Sequence, residues 1–163
     1  MEQTIQHPQQ MMTPAALLKH WQGHRDLTRR VIEAFPEKEF FDFSIGGMRT
    51  FAAMTMELLG IAAPGLREIV GGKITELNEH FEHGHKKENL LKIWDQQTEE
   101  INTMWQKIPA ERFQESIVLF GKYKGTVLST IFYFIDNEIH HRGQGYVYLR
   151  TLGIEPPFFW DRK

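Results

Sequence analysis

Cysteine is absent from the 163-residue chain, which removes disulfides, thiolate nucleophiles and Cys-rich zinc sites together. Any metal must therefore sit on nitrogen and oxygen ligands. An excess of one charge is lacking too: 19 Lys and Arg face 21 Asp and Glu, a formal net charge of -2. Without a strong basic field to collect phosphate backbones, nucleic acid is not an expected partner. Long apolar runs are missing as well. The longest nearly apolar stretch, residues 127–135, is about half the ~20 residues needed to cross a bilayer. Residues 1–12 are polar and Gln-rich, without a basic segment followed by an apolar one, so secretion and membrane partners are not expected and the location read is cytoplasmic. Several catalytic templates are missing: no Walker loop, no Gly-x-Ser-x-Gly elbow and no His-Glu-x-x-His helix. Gly143-Gln144-Gly145 opens a dinucleotide-like pattern, but Tyr148 stands where its third glycine belongs.

What is present is ordinary globular composition, 41% hydrophobic and 25% charged, together with eight histidines. Length and composition predict a single domain, residues 1–163, able to bury its own core. Thr13-Pro14 reads as an N-cap and first helical residue. Leu17, Trp21, Thr28, Val31 and Phe35 then recur at helical spacing up to Pro36. Residues 36–47 lack periodicity and form a connector whose Phe40, Phe41 and Phe43 tuck against the rest. A second helix over residues 49–70 carries Phe51, Met54, Leu58 and Ile61, with a kink or break expected at Pro64-Gly65. Residues 73–87 are polar. A third helix, residues 90–108, carries Leu91, Trp94, Ile101, Met104 and Trp105. Residues 109–125 fit either a short strand-like excursion or a crossover. The last helix, residues 126–152, is apolar over much of its circumference and is expected to be buried on several sides, with Gly153 closing it and Phe158, Phe159 and Trp160 folding back. The expected fold class is all-α, a four-helix bundle with long connections.

Sites in bundles lie where polar residues interrupt apolar faces. The densest interruption is Asp136-Asn137-Glu138-Ile139-His140-His141-Arg142. At 100° per residue, Asn137 and His141 share a face, Glu138 lies beside them, and Asp136 and His140 form a second i,i+4 pair. A metal centre and a set of mutually hydrogen-bonded buried groups fit this spacing equally well. Glu57 falls within the Met54, Leu58, Ile61 stripe, so its carboxylate either faces the core or reaches solvent at the boundary. A buried position requires a metal, Arg142 or a histidine of the last helix as partner. His20 and His24 are spaced to chelate but read better as half surface, half core. His80, His83 and His85 sit in a hydrophilic stretch and read as a solvated rim.

Asn137 to Gln144, continued by Tyr146-Val147-Tyr148-Leu149-Arg150, Leu152-Gly153 and Pro156-Pro157, strongly resembles the last-helix motif of the DinB/YfiT-like family. The long first helix, the Gly47-Met48-Arg49-Thr50 entry to the second and the overall length also match. The resemblance implies a four-helix bundle, often a homodimer, holding a divalent metal on three histidines, one from the second helix and a His-x-x-x-His pair from the last. It also implies metal-dependent chemistry on a small-molecule substrate with a low-molecular-weight thiol. Carried over by position, the metal ligands fall on Glu57, Asn137 and His141, so two of the three histidines are replaced. The resemblance then implies one of three outcomes: an altered site for Ni, Zn, Mn or Fe aided by Glu138 or Asp136, a site completed by water or another histidine, or a centre without metal. His140 is expected to anchor the site through Asp136, with Trp21 and Phe134 lining the pocket. Without cysteine, a thiol reaction here needs an external thiol. A non-catalytic bundle acting through ligand binding or dimerisation is the alternative.

Overall fold

The computed structural model describes residues 11–163; most of the expected polar lead-in lies outside them. α1 (Pro14–Ala34) begins where the sequence places it, the Thr13 hydroxyl accepting the Ala16 amide at 3.1 Å. Its apolar stripe of Leu17, Trp21, Leu27, Val31 and Ile32 is buried. The connector is more ordered than expected, because α2 (Glu37–Asp42) occupies it and buries Phe40 against Phe35 and Phe51. A helix this short leaves no apolar period to read, although Glu37 and Glu39 suit the positive end of its dipole.

α3 (Phe51–Gly71) is capped by Thr50 and ends at Gly72, whose φ of 68° is the left-handed conformation that glycine adopts readily. The break expected at Pro64 does not occur, since α3 continues through it. Pro64 removes one backbone donor, and buried Leu58, Leu59, Ile61, Leu66 and Ile69 on both sides hold the helix together. The connection after α3 lies close over that helix. A Cβ on Gly60 would stand 2.2 Å from the Asn78 carbonyl oxygen, so only glycine allows the approach.

α4 (Lys87–Trp105) starts and stops about three residues before the expected limits. A 3-10 turn (Ala110–Gln114) follows, then β1 (Ser116–Leu119) and β2 (Tyr123–Thr126), paired antiparallel with Ser116 opposite Thr126 and Leu119 opposite Tyr123. The stretch left open as strand or crossover is thus a hairpin, turned by Phe120 and Gly121 in positive-φ conformations. Buried Glu68 secures it, accepting the Phe120 amide at 2.9 Å and the Thr75 amide at 2.8 Å. α5 (Val127–Thr151) opens with a reciprocal capping box between Thr126 and Ser129. Thr126→Ala is expected to lower the urea unfolding free energy by about 1 kcal/mol, measured against a surface Thr103→Ala control.

The four long helices form a closed ring of neighbours in which α1 packs on α4 and α5, and α3 packs on the same two. One apolar cluster gathers Trp21, Leu66, Trp105, Ile131 and Phe134; the other gathers Phe35, Phe51, Leu59, Trp94 and Tyr148. α5 is less enclosed than its composition suggests, because Phe132, Ile139 and Val147 are exposed. Phe158, Phe159 and Trp160 are exposed too, Phe158 stacking on Trp160 and Phe159 meeting it edge-on. The tail folds back through its polar residues instead, Asp161 meeting Arg30 and Arg162 meeting His24. Among the described residues no helix is long and apolar enough to cross a membrane.

Candidate functional site

α5 lies between α1 and α3, so its neighbouring faces look toward different helices. The polar run 136–142 is divided accordingly. Asn137 and His141 face α3, Glu138 and Arg142 face α1, and Asp136 and His140 are exposed.

On the α3 side the three residues carried over from the resemblance meet. Glu57 Oε1 accepts from Asn137 Nδ2 at 3.1 Å and from His141 Nε2 at 3.1 Å. Its other oxygen accepts from Arg49 Nη2. Arg49 stands just before the N-cap of α3, its carbonyl accepting the Tyr148 hydroxyl at 2.9 Å and its second Nη lying 4.0 Å from Glu79. Burial pushes the Glu57 carboxyl up, yet hydrogen bonds from Arg49, His141 and Asn137 outweigh it and hold the group below the ordinary carboxylate range. His141 Nδ1 lies 3.3 Å from Gln144 Oε1, and Gln144 Nε2 donates to His140 at 3.1 Å. The anchor is therefore Gln144, and the expected His140–Asp136 contact is replaced by it. Glu57 finds the last-helix histidine as expected, but its guanidinium comes from Arg49 rather than Arg142. Arg49 lies outside α3, before its N-cap, so no helical spacing signals its pairing with Glu57. Gln144 carries no such signal beyond lying one turn after His140.

Beside Glu57 opens a cavity of about 510 Å³. Ile61, Leu119 and Phe120 supply apolar wall, Tyr123, Thr130 and Tyr133 supply hydroxyls, and Arg49, Glu57 and Glu79 supply charge. Trp21 and Phe134 do not line it. Both are fully packed in the core, their rings 6.0 Å apart.

On the α1 side lies a second polar layer. The Thr28 hydroxyl donates to Glu138 at 2.6 Å, and Arg142 donates to Thr28 and to the His24 carbonyl at 3.0 and 3.2 Å. The His24 ring stands between two guanidiniums, Nδ1 2.8 Å from Arg142 and Nε2 2.9 Å from Arg162. Burial first, then Arg142, His20 and Arg162, lower its pKa to about 3. Fully buried Arg25 donates to Thr98 and to the Trp94 carbonyl and stacks 4.1 Å over the Trp94 ring. Glu138 thus completes this layer and does not assist Glu57 and His141. His20 is exposed, so the His20/His24 pair is half surface and half core. His83 and His85 gather around the Phe41 ring at the rim.

The donors around Glu57 fit a resident divalent ion poorly. One imidazole, one carboxylate and one amide make a weak set, and among the described residues no three His, Cys, Asp or Glu side chains gather to hold an ion. The carboxylate already carries a guanidinium on one oxygen and two donors on the other. A divalent ion beside Glu57 would repel the Arg49 guanidinium, by less than the bare Coulomb value because Arg49 is half exposed.

Fold and site together define a four-helix bundle with a polar centre between its second and last long helices. The chain belongs to the DinB family, which it matches over residues 6–161. A DinB-like protein from Bacillus cereus superposes with a TM-score of 0.70 at 13% identity, covering 90% of this chain and 97% of that one. The DinB-like protein YjoA from Bacillus subtilis gives 0.72 at 21% identity, covering 90% and 99%. A comparison with curated proteins finds no match.

Proposed function

We propose that this chain is a small-molecule-binding member of the DinB family, in which a hydrogen-bonded group of Arg49, Glu57, Asn137 and His141 stands where the resemblance implies a metal centre. The observation that carries the reading is the state of Glu57. It lines the cavity while both oxygens of its carboxylate are already engaged within the chain. The ligand it suits has an apolar body for Ile61, Leu119 and Phe120, with hydrogen-bonding groups for Tyr123, Thr130 and Tyr133. Binding, rather than thiol transfer on a metal, is the activity assigned.

Ligand-observed NMR with a library of polar-ended aromatic and aliphatic fragments tests it. Hits are expected to weaken at least about tenfold, or 1.4 kcal/mol, in Thr130→Phe, which fills the cavity, and in Tyr133→Ala, which changes a half-exposed wall residue. No hits, or hits indifferent to both changes in folded protein, would refute the reading.

A further inference from the structure

We infer that Arg49 is a built-in substitute for a metal ion, its guanidinium supplying the positive charge the centre requires and closing that centre to divalent cations. The inference rests on the metal-free reading above and gives it a cause in one side chain.

Three observations converge on Arg49. Its backbone is held beside the centre, because the buried Tyr148 side chain reaches its carbonyl from α5 at 2.9 Å and the next residue, Thr50, caps α3, and from there its half-exposed side chain reaches Glu57. Its head is shared between two carboxylates, donating to Glu57 and standing 4.0 Å from Glu79. That is the charge environment in which a hard cation would otherwise be held. Third, the remaining contacts have the polarity of a centre organised around the carboxylate. Asn137 Nδ2 and His141 Nε2 each lie 3.1 Å from Glu57 Oε1, so both close on the carboxylate that Arg49 also holds. A planar five-donor guanidinium matches a carboxylate without any ligand to deprotonate, so the pair stays assembled whatever the metal supply.

If Arg49 is what excludes metal, removing its charge and restoring an imidazole should create a metal site. The experiment uses the full chain without a His tag, stripped with EDTA and titrated calorimetrically with Zn²⁺ and separately with Ni²⁺. Wild type and Asn137→His are expected to bind neither ion tightly. Asn137→His combined with Arg49→Met should bind one ion per chain at least about 100-fold more tightly than Asn137→His alone, and adding His141→Ala should abolish the gain. Arg49→Gln serves as a second neutral replacement should the methionine variant fail to fold, as judged by circular dichroism. Arg49→Lys, which keeps the charge, should continue to exclude metal. The inference is overturned if wild type takes up one ion per chain that is lost in His141→Ala. It is equally overturned if the combined variant, folded, binds no better than Asn137→His. Fragment binding to wild type reads the cavity separately, so this inference can fail while the binding function stands.

Discussion

Acidification from pH 7 to pH 4 is expected to remove about 3 kcal/mol of folding stability through His24 alone. In the unfolded chain this imidazole takes its proton near its ordinary value of about 6.5, whereas in the fold it resists until about 3. Between those values the unfolded chain holds the extra proton, so stability is fully present above the upper value and drains away as pH falls. The cause is geometric, with Arg142 and Arg162 on the two ring nitrogens, Arg25 and Glu138 in the same layer, and His20 on the preceding turn. Glu138 titrates in the opposite sense. Burial pushes its carboxyl up, so it binds its proton more readily folded than unfolded and offsets part of the loss. Urea unfolding of wild type and His24→Gln at pH 7, 5.5 and 4 separates the two. Wild type should lose about 3 kcal/mol more than the variant over this range, a large part of the 5–15 kcal/mol typical of a domain. Parallel losses in both proteins would show that the imidazole is not responsible.

Two glycines of α5 are expected to respond with opposite signs. Gly143 has open space around its missing Cβ, so Gly143→Ala should stabilise by about 0.5–1 kcal/mol, the usual gain of alanine over glycine inside a helix. Gly145 faces Phe51, and a Cβ there would stand 2.5 Å from Cε2 and 2.7 Å from Cζ. Phe51 cannot yield easily, being fully buried and stacked 4.7 Å from Phe35. Gly145→Ala should therefore destabilise by about 1–3 kcal/mol, and Gly145→Leu should reach or pass the upper end of that range. The consequence extends to the site, because Gly145 is one turn beyond His141 and sets how near α5 comes to α3. Pushing the helices apart should lengthen the 3.1 Å contact between His141 and Glu57, seen as a changed His141 imidazole resonance in NMR. Thermal unfolding of the three variants checks the energies. A stabilising Gly145→Ala would contradict the close approach.

Much of the fold is legible in the sequence because helix boundaries are local events. Thr13 caps α1, Gly153 follows the end of α5, and the apolar spacing within each long helix has one period. The failures have equally local reasons. α2 is too short to show a period, and the hairpin turn depends on Glu68 of α3, which accepts the Phe120 amide. Pro64 reads as a kink or break, and the break is absent because burial on both sides offsets the lost donor.

The chain by itself determined the excluded chemistries and the four long helices, which follow from composition and periodicity, while the family and the grouping of Glu57, Asn137 and His141 were implied by the resemblance of its last-helix motif. Only the tertiary structure decided how the crowded stretch 136–142 is shared out. Residues one step apart on a helix point 100° apart, and which neighbour each finds depends on the helices standing on either side. With α3 on one flank of α5 and α1 on the other, Glu138 and Arg142 were drawn into a structural layer and away from the centre. Arg49 reached Glu57 because Tyr148 and the α3 cap hold its backbone there. The absence of cysteine left the choice between nitrogen and oxygen ligands open, and the placement of one arginine tips it toward an internal ion pair.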